Sequence, residues 1–322
     1  MALSPDLFQY QVGKETTWGT PVSGTAKLMG VSECSLEPVV DSIMHEEYRG
    51  TYLPGWLVDL SRVQAKGRIA GVQTYEDLHW LEGLFGVVTP SGAGPYVYAG
   101  VAPTSTDPAP RIQTLIKGNS TNTYKGEGML PIDAELTFAT NQPVKYSYNL
   151  LGEQFSTGTL AALSDRAVNT VMGNQIALYI DALGGTIGTT AITTPFFSGS
   201  LKIAPKRTQY PKMGSLTDGG YVDGKFTGTL NMTLLFEAAS KAYLDAVIGT
   251  SAVLQKLVRI KATKGTNIFQ LDFAGSALKS PAIFDVENDV TVVKMELTGV
   301  YDSGAFANWF KYSVTNGVSA LP

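Results

Sequence analysis

The chain has 322 residues, a formal net charge of −4, a single cysteine and only 16% charged residues, against about 25% in a typical soluble domain. That balance gives no support to tight binding of a phosphate backbone, which needs clustered Lys and Arg, and the lone Cys34 excludes an internal disulfide framework or a multi-cysteine zinc site. Gly is plentiful, at 34 residues, as in a β-rich chain with many turns, and the length fits about two domains of ordinary size.

The opening MALSPDLFQY has neither the basic start nor the apolar core of a signal peptide, and no apolar run approaches the ~20 residues that span a bilayer. A soluble chain not exported by that route is expected. From near residue 5 an alternating strand, a Gly/Thr turn and a second alternating strand ending at Pro38 are predicted, with Cys34 as a small strand residue in SECSLE. Asp41–Leu60 reads as a long loop with few strand signals. It carries Tyr48, Arg49, Tyr52, Pro54 and Trp56, and aromatics with Arg are what buried protein contacts favour.

GRIAGVQTYEDLHWLEGLFG, from Gly67 to Gly86, reads as a strand running into a short helix, with Thr74 as N-cap, Asp77 three residues on and Gly86 at the stop. The helix stripe Trp80, Leu81, Leu84 and Phe85 is expected to face a core, with His79 at its boundary. The Pro/Gly-rich stretch Thr89–Pro110 reads as added loop, and the alternation of AELTF and KYSYNL as strands.

After a linker the same order starts again. GTLNMTLLFEAASKAYLDAVIG, from Gly228 to Gly249, repeats the strand and helix, with Tyr243, Leu244, Val247 and Ile248 as its stripe, although Glu237 is a poor N-cap. Aligning the closing glycines gives a shift of 249 − 86 = 163; Gly152 and Gly299 align at 147, and Pro131 and Pro281 at 150. A duplicated unit follows: 1–155, a linker 156–173, a second unit 174–302 and a C-terminal tail 303–322. Within the second unit, Lys202, Lys206, Arg207 and Lys212 read as a solvated hairpin edge, and DGGYVDG (Asp218–Gly224) as two tight turns.

No motif nominates chemistry. The only histidines are His45 and His79, and there is no Gly-x-Ser-x-Gly elbow, phosphate-cradling Gly-x-x-x-x-Gly-Lys-Ser/Thr loop or dinucleotide fingerprint. His45 in MHEEYRG sits beside two carboxylates, but neighbours in an extended segment point to opposite faces and no second His is near. DGGYVDG lacks the spacing of a calcium loop. No catalytic, cofactor-binding or metal-binding residue and no cofactor is therefore assigned, and an enzyme is not expected.

Taken in order, VGKETTWGTP, LMGVSECSLEP, the long loop DSIMHEEYRGTYLPGWLVD, the strand-helix segment and YSYNLLGE resemble the tail tube proteins (major tail proteins) of long-tailed, siphovirus-type bacteriophages. The duplication departs from the usual single-unit member. The resemblance implies two tandem β-sandwich or barrel-like units, each with a flanking helix and a long hairpin loop. They would stack as rings around a DNA channel, three chains completing a pseudo-sixfold ring. Implied partners are the chain itself, tape measure, tail terminator and distal tail proteins, with DNA passing through the lumen without specific binding. The implied location is the virion tail. Loop 41–60 would then pack on the adjacent subunit or ring. The alternative is a tandem β-sandwich binding module, an adhesin or decoration protein that recognises carbohydrate or a host surface.

Overall fold

Alternating apolar and polar residues build most of this chain into strands, and the computed structural model describes residues 7–46, 55, 57–248, 253–278, 282–287 and 289–321. The fold is mainly β with two short helices, and the strand pairs are antiparallel. No helix among the described residues is long and apolar enough to cross a membrane.

The first half contains β1 (Gln9–Lys14), β2 (Ala26–Lys27), β3 (Val31–His45), β4 (Leu57–Val72), α1 (His79–Phe85), β5 (Tyr96–Val101), β6 (Gln113–Gly118), β7 (Thr123–Ala139), β8 (Lys145–Gly152) and β9 (Gln154–Thr157). The second half contains β10 (Ile176–Ala182), β11 (Phe196–Ala204), β12 (Thr208–Pro211), β13 (Asp218–Val222), β14 (Thr227–Leu235) and α2 (Ala238–Ile248). It closes with β15 (Gln255–Lys264), β16 (Asn267–Ser276), β17 (Ala282–Glu287), β18 (Val290–Gly299) and β19 (Phe310–Asn316).

The pairings repeat. The ladders β1–β6, β6–β7, β3–β4, β4–β8 and β7–β9 recur as β10–β15, β15–β16, β11–β14, β14–β18 and β16–β19. Their registers carry the two glycine shifts. Arg68 faces Asn149 and Asn231 faces Glu296, where 231 − 68 = 163 and 296 − 149 = 147. Even a bulge recurs, between Val31 and Glu33 in β3 and between Phe196 and Ser198 in β11, at 196 − 31 = 165. Pro281, aligned with Pro131, lies outside the described residues. Leu130 faces Leu151 and Ser276 faces Thr298, so Ser276 takes the place of Leu130 at a shift of 146, and the residue after it is Ala277.

Each half has two strand layers. β7 serves both: its first part pairs with β6 and β9, its last part with β8, and the register slips between Pro131 and Asp133. Proline has no N–H to give a ladder, so it belongs at such a slip, and a bulge is where a strand turns from one sheet into another. In the second half the same role is divided between β16 and β17. Apolar faces of both layers, including Val12, Leu36, Ile69, Leu115 and Tyr148, join one hydrophobic core with the α1 stripe.

Three expectations about local structure change. Helix α1 starts at His79 rather than after Thr74, because Gln73 holds the preceding turn by donating to Thr74 O and Asp77 O, while Asp77 Oδ1 accepts from the His79 N–H at 3.2 Å. Gly86 does end it, with φ at 120° and its N–H donated to Glu82 O. The expected loop Thr89–Pro110 contains β5, which pairs along its length with β19. Residues 303–322, expected as a tail, contain β19, whose Phe310, Tyr312 and Val314 are buried.

Candidate assembly surface

Two ladders join the halves, β5–β19 and β7–β11. β7 pairs with β11 from Ser198 opposite Ala139 to Ile203 opposite Ala134, giving the continuous strand order β3–β4–β8–β7–β11–β14–β18–β17. One face of this layer is apolar and buried. The other is polar: along it lie Glu33, Ser35 and Glu37 on β3, Lys66 and Arg68 on β4, Ser147 and Asn149 on β8, and Glu135 and Thr137 on β7. In the second half it continues through Ser200 and Lys202, Thr229 and Asn231, and Lys294 and Glu296. A hollow of about 410 Å³ lined by Arg68, Glu135, Asn149, Lys202 and Thr229 lies on this face at the fusion.

Three cations on this face have carboxylate neighbours. Lys202 Nζ is 3.4 Å from Glu135 Oε2 across the fusion ladder, Lys294 Nζ 2.7 Å from Asp285 Oδ2, and Arg68 Nη1 3.8 Å from Glu33 Oε1. These three positive charges are thereby compensated toward a phosphate.

Both ends of the layer are open edges. Among the described residues β3 pairs only with β4, and β17 only with β18. These edges are counterparts of the two strands of the β7–β11 fusion ladder. β3 stands to β4 as β11 stands to β14, and β17 to β18 as β7 to β8: Thr137 faces Lys145 and Asp285 faces Val292, where 292 − 145 = 147.

The predicted loop 41–60 is to a large extent a hairpin. The β3–β4 ladder extends from Val39 opposite Gln64 to His45 opposite Leu57, and every residue of 40–46 and 57–61 is exposed. Tyr48, Arg49, Tyr52, Pro54 and Trp56, expected to make the contact, lie outside the described residues. Sequence reasoning missed the other apolar residues here: Val40, Ile43, Met44 and Val58 are each more than half exposed. Those on β3 fall in adjacent pairs, Val39-Val40 and Ile43-Met44, on either side of a register slip at Asp41/Ser42, so no period-two pattern marked them. His45 Nε2 lies 2.9 Å from Asp59 Oδ2, within the hairpin.

The matching connection of the second half folds back over the first. It is the β12–β13 hairpin, so Asp218–Val222, expected as two turns, is a strand. Arg62 holds Asp218 through two hydrogen bonds of 2.9 and 2.7 Å, Gln64 Nε2 donates to Asp218 Oδ2 at 2.6 Å, and the Val63 N–H donates to Leu216 O at 2.8 Å. Arg207, expected on a solvated edge, is buried: it pairs with Asp223 and donates to Gly83 O at 3.0 Å and Pro131 O at 2.7 Å. Its acceptors are main-chain carbonyls distant in sequence, which no charge pattern reveals.

The helix stripes behave differently in the two halves. Trp80, Leu81, Leu84 and Phe85 are buried, each aliphatic side chain contributing about 2 kcal/mol, and Trp80 Nε1 donates to Gln73 Oε1 at 2.9 Å. Tyr243 is half-buried with Lys256 Nζ 5.4 Å from its ring centre, and the side chains of Leu244, Val247 and Ile248 lie outside those described. His79, expected at a boundary, is instead fully buried. Burial and then the charges of Arg111 and Arg166 hold its imidazole well below the usual value, and burial raises its neighbour Asp77. Glu82 binds Arg111 Nη1 at 3.1 Å beside it. These groups anchor α1 away from solvent, in no position to meet a solute.

Cys34 is buried in β3, and burial foremost pushes its thiol up to about 12. The thiolate that nucleophilic chemistry needs is thus disfavoured. No family model and no curated protein matches this chain.

Proposed function

We propose that this protein is a tail tube protein of a long-tailed bacteriophage, polymerising as stacked trimeric, pseudo-sixfold rings that form a conduit for DNA. The observation that carries the reading is the polar-faced layer that runs through both halves and ends in two edges equivalent to the strands of its own fusion ladder. Edges of that kind invite repetition of the same ladder between chains, which disposes of both.

Ring width favours several chains. The layer supplies eight strands per chain, β3, β4, β8, β7, β11, β14, β18 and β17. At ~4.8 Å spacing and a tilt of roughly 40°, eight strands close at about 16 Å across the backbone, a bore that side chains fill. Three chains would close at about 48 Å, wide enough for a duplex. The polar face would then line the bore, and its three compensated cations suit a passage in which DNA slides. Tape measure, terminator and distal tail proteins would be the other partners, and the virion tail the location.

Negative-stain electron microscopy of the purified protein, with the mass of its smallest soluble species, tests this. Hollow tubes or rings built on trimers are expected. A monomer that stays monomeric at high concentration overturns the reading in favour of the carbohydrate-binding module.

A further inference from the structure

The two halves treat the same connection in opposite ways. Between β11 and β14 it forms the β12–β13 hairpin, which is seated on the first half by Arg62, Val63 and Glu153: Asp218, Leu216 and Thr217 are their respective partners. Between β3 and β4 the described residues 39–46 and 57–62 form an arm whose apolar residues Val40, Ile43, Met44 and Val58 stand exposed. An exposed apolar group of this size marks a contact surface.

The internal repeat shows where such an arm would be seated. The shift of 163 carries Arg62 to Lys225 and Val63 to Phe226, and the shift of 147 carries Glu153 to Val300. Lys225 and Phe226, with Tyr301 beside Val300, line an open groove of about 810 Å³ together with Trp309 and residues 103–108 of the first half. Tyr301 is 55% exposed. The position that the hairpin covers on the first half is thus an aromatic-walled groove on the second. Exposed Lys225 stands where Arg62 holds an aspartate, with Asp107 also lining the groove, and the arm brings Asp41.

We infer that the arm of one chain lies in this groove on the second half of a neighbouring copy of the same chain, repeating between chains the contact that β12–β13 makes within one. The arm begins in β3 and the groove adjoins the half that ends in β17, so the same pair of chains that joins these edges also seats the arm. The inference rests on self-assembly, as proposed above, and not on what passes through the assembly.

Benzophenone side chains placed at Ile43 and Val58, in a mixture of isotopically light and heavy chains, test the geometry. After irradiation, cross-linked peptides should join the arm of one isotope to residues 103–108, 223–226 or 301–309 of the other. Cross-links within one chain, or to another surface of a second chain, overturn the inference while leaving self-assembly standing. A chain that forms no oligomer overturns both. As an independent arm, Tyr301→Asp should raise the concentration at which assembly begins tenfold or more while leaving the circular dichroism of the monomer unchanged. Unaltered assembly of that variant also overturns the inference.

Discussion

Arg62 and Asp218, 156 residues apart in sequence, form a two-pronged pair that ties the second half of the chain to the first. The Asp218 side chain is fully buried and Arg62 is 31% exposed, so only one partner has left water. Asp218→Ala leaves Arg62 and Gln64 without their shared acceptor. Thermal and urea unfolding should show a loss of about 2–3 kcal/mol, below the 3–5 of a fully buried pair because Arg62 stays partly hydrated. Arg62→Ala should cost at least as much, since it strands a buried carboxylate.

Gly83 brings α1 against β7. A Cβ there would meet Pro131 Cγ at 2.6 Å and Cδ at 2.7 Å, and the Gly83 carbonyl receives Arg207. Ala is the better helix former by about 1 kcal/mol, but the clash outweighs this, and Gly83→Ala should lose about 1–2 kcal/mol in urea unfolding.

His79 gives the protein a pH dependence of known sign. Its imidazole is held well below its usual value in the folded chain, mainly by burial, and regains about 6.5 when unfolded. The unfolded state therefore binds the extra proton, and stability falls as pH drops below about 6.5 toward the lower folded value. The raised Asp77 acts in the opposite sense, near the carboxylate range. His79→Leu should flatten the fall in melting temperature between pH 7 and pH 5.5, and removes two ring nitrogens that have no hydrogen-bond partner.

Cys34 should be inert while the chain is folded. Maleimide labelling at pH 7.5 is expected to be at least a hundredfold slower than in denaturant, since the thiol is both buried and pushed up to about 12. Rapid labelling of the folded chain would place β3 differently.

Recharging the polar face tests its proposed role as the lining of a passage. Glu135→Lys with Glu296→Lys removes a partner of Lys202 and adds two cations to one face. Assembled wild-type protein should not retain DNA in sedimentation, whereas the double variant should retain it near 50 mM salt and release it near 200 mM, the range over which phosphate contacts weaken most visibly.

The repeated order of strand pairings was legible because strand order and glycine positions are local signals repeated in sequence: the 163 and 147 shifts reappear residue for residue in the ladders of β4 and β8. Alternation likewise marked most strands. Around Pro131 the correspondence is harder to read, because a bulge allows residues to be gained or lost: the shift is 276 − 130 = 146 before it and 285 − 137 = 148 after it. β13 was hidden by its glycines, which read as turns until Tyr210 and Arg62 supply a partner strand and an ion pair. Thr89–Pro110 hid β5 for a similar reason: its ladder partner, β19, lies more than 200 residues away. The apolar arm residues were overshadowed by the aromatics beside them.

The fusion ladder between β7 and β11 has an evolutionary consequence. Where identical units meet head to tail, every substitution recurs at every junction, and an edge can change only if it stays complementary to the one facing edge. Here one junction lies inside a single polypeptide, while the edges of β3 and β17 face outward. Each can acquire mutations without disturbing the other. One half has used that freedom to lay its hairpin down on its neighbour, and the other to hold the matching hairpin out.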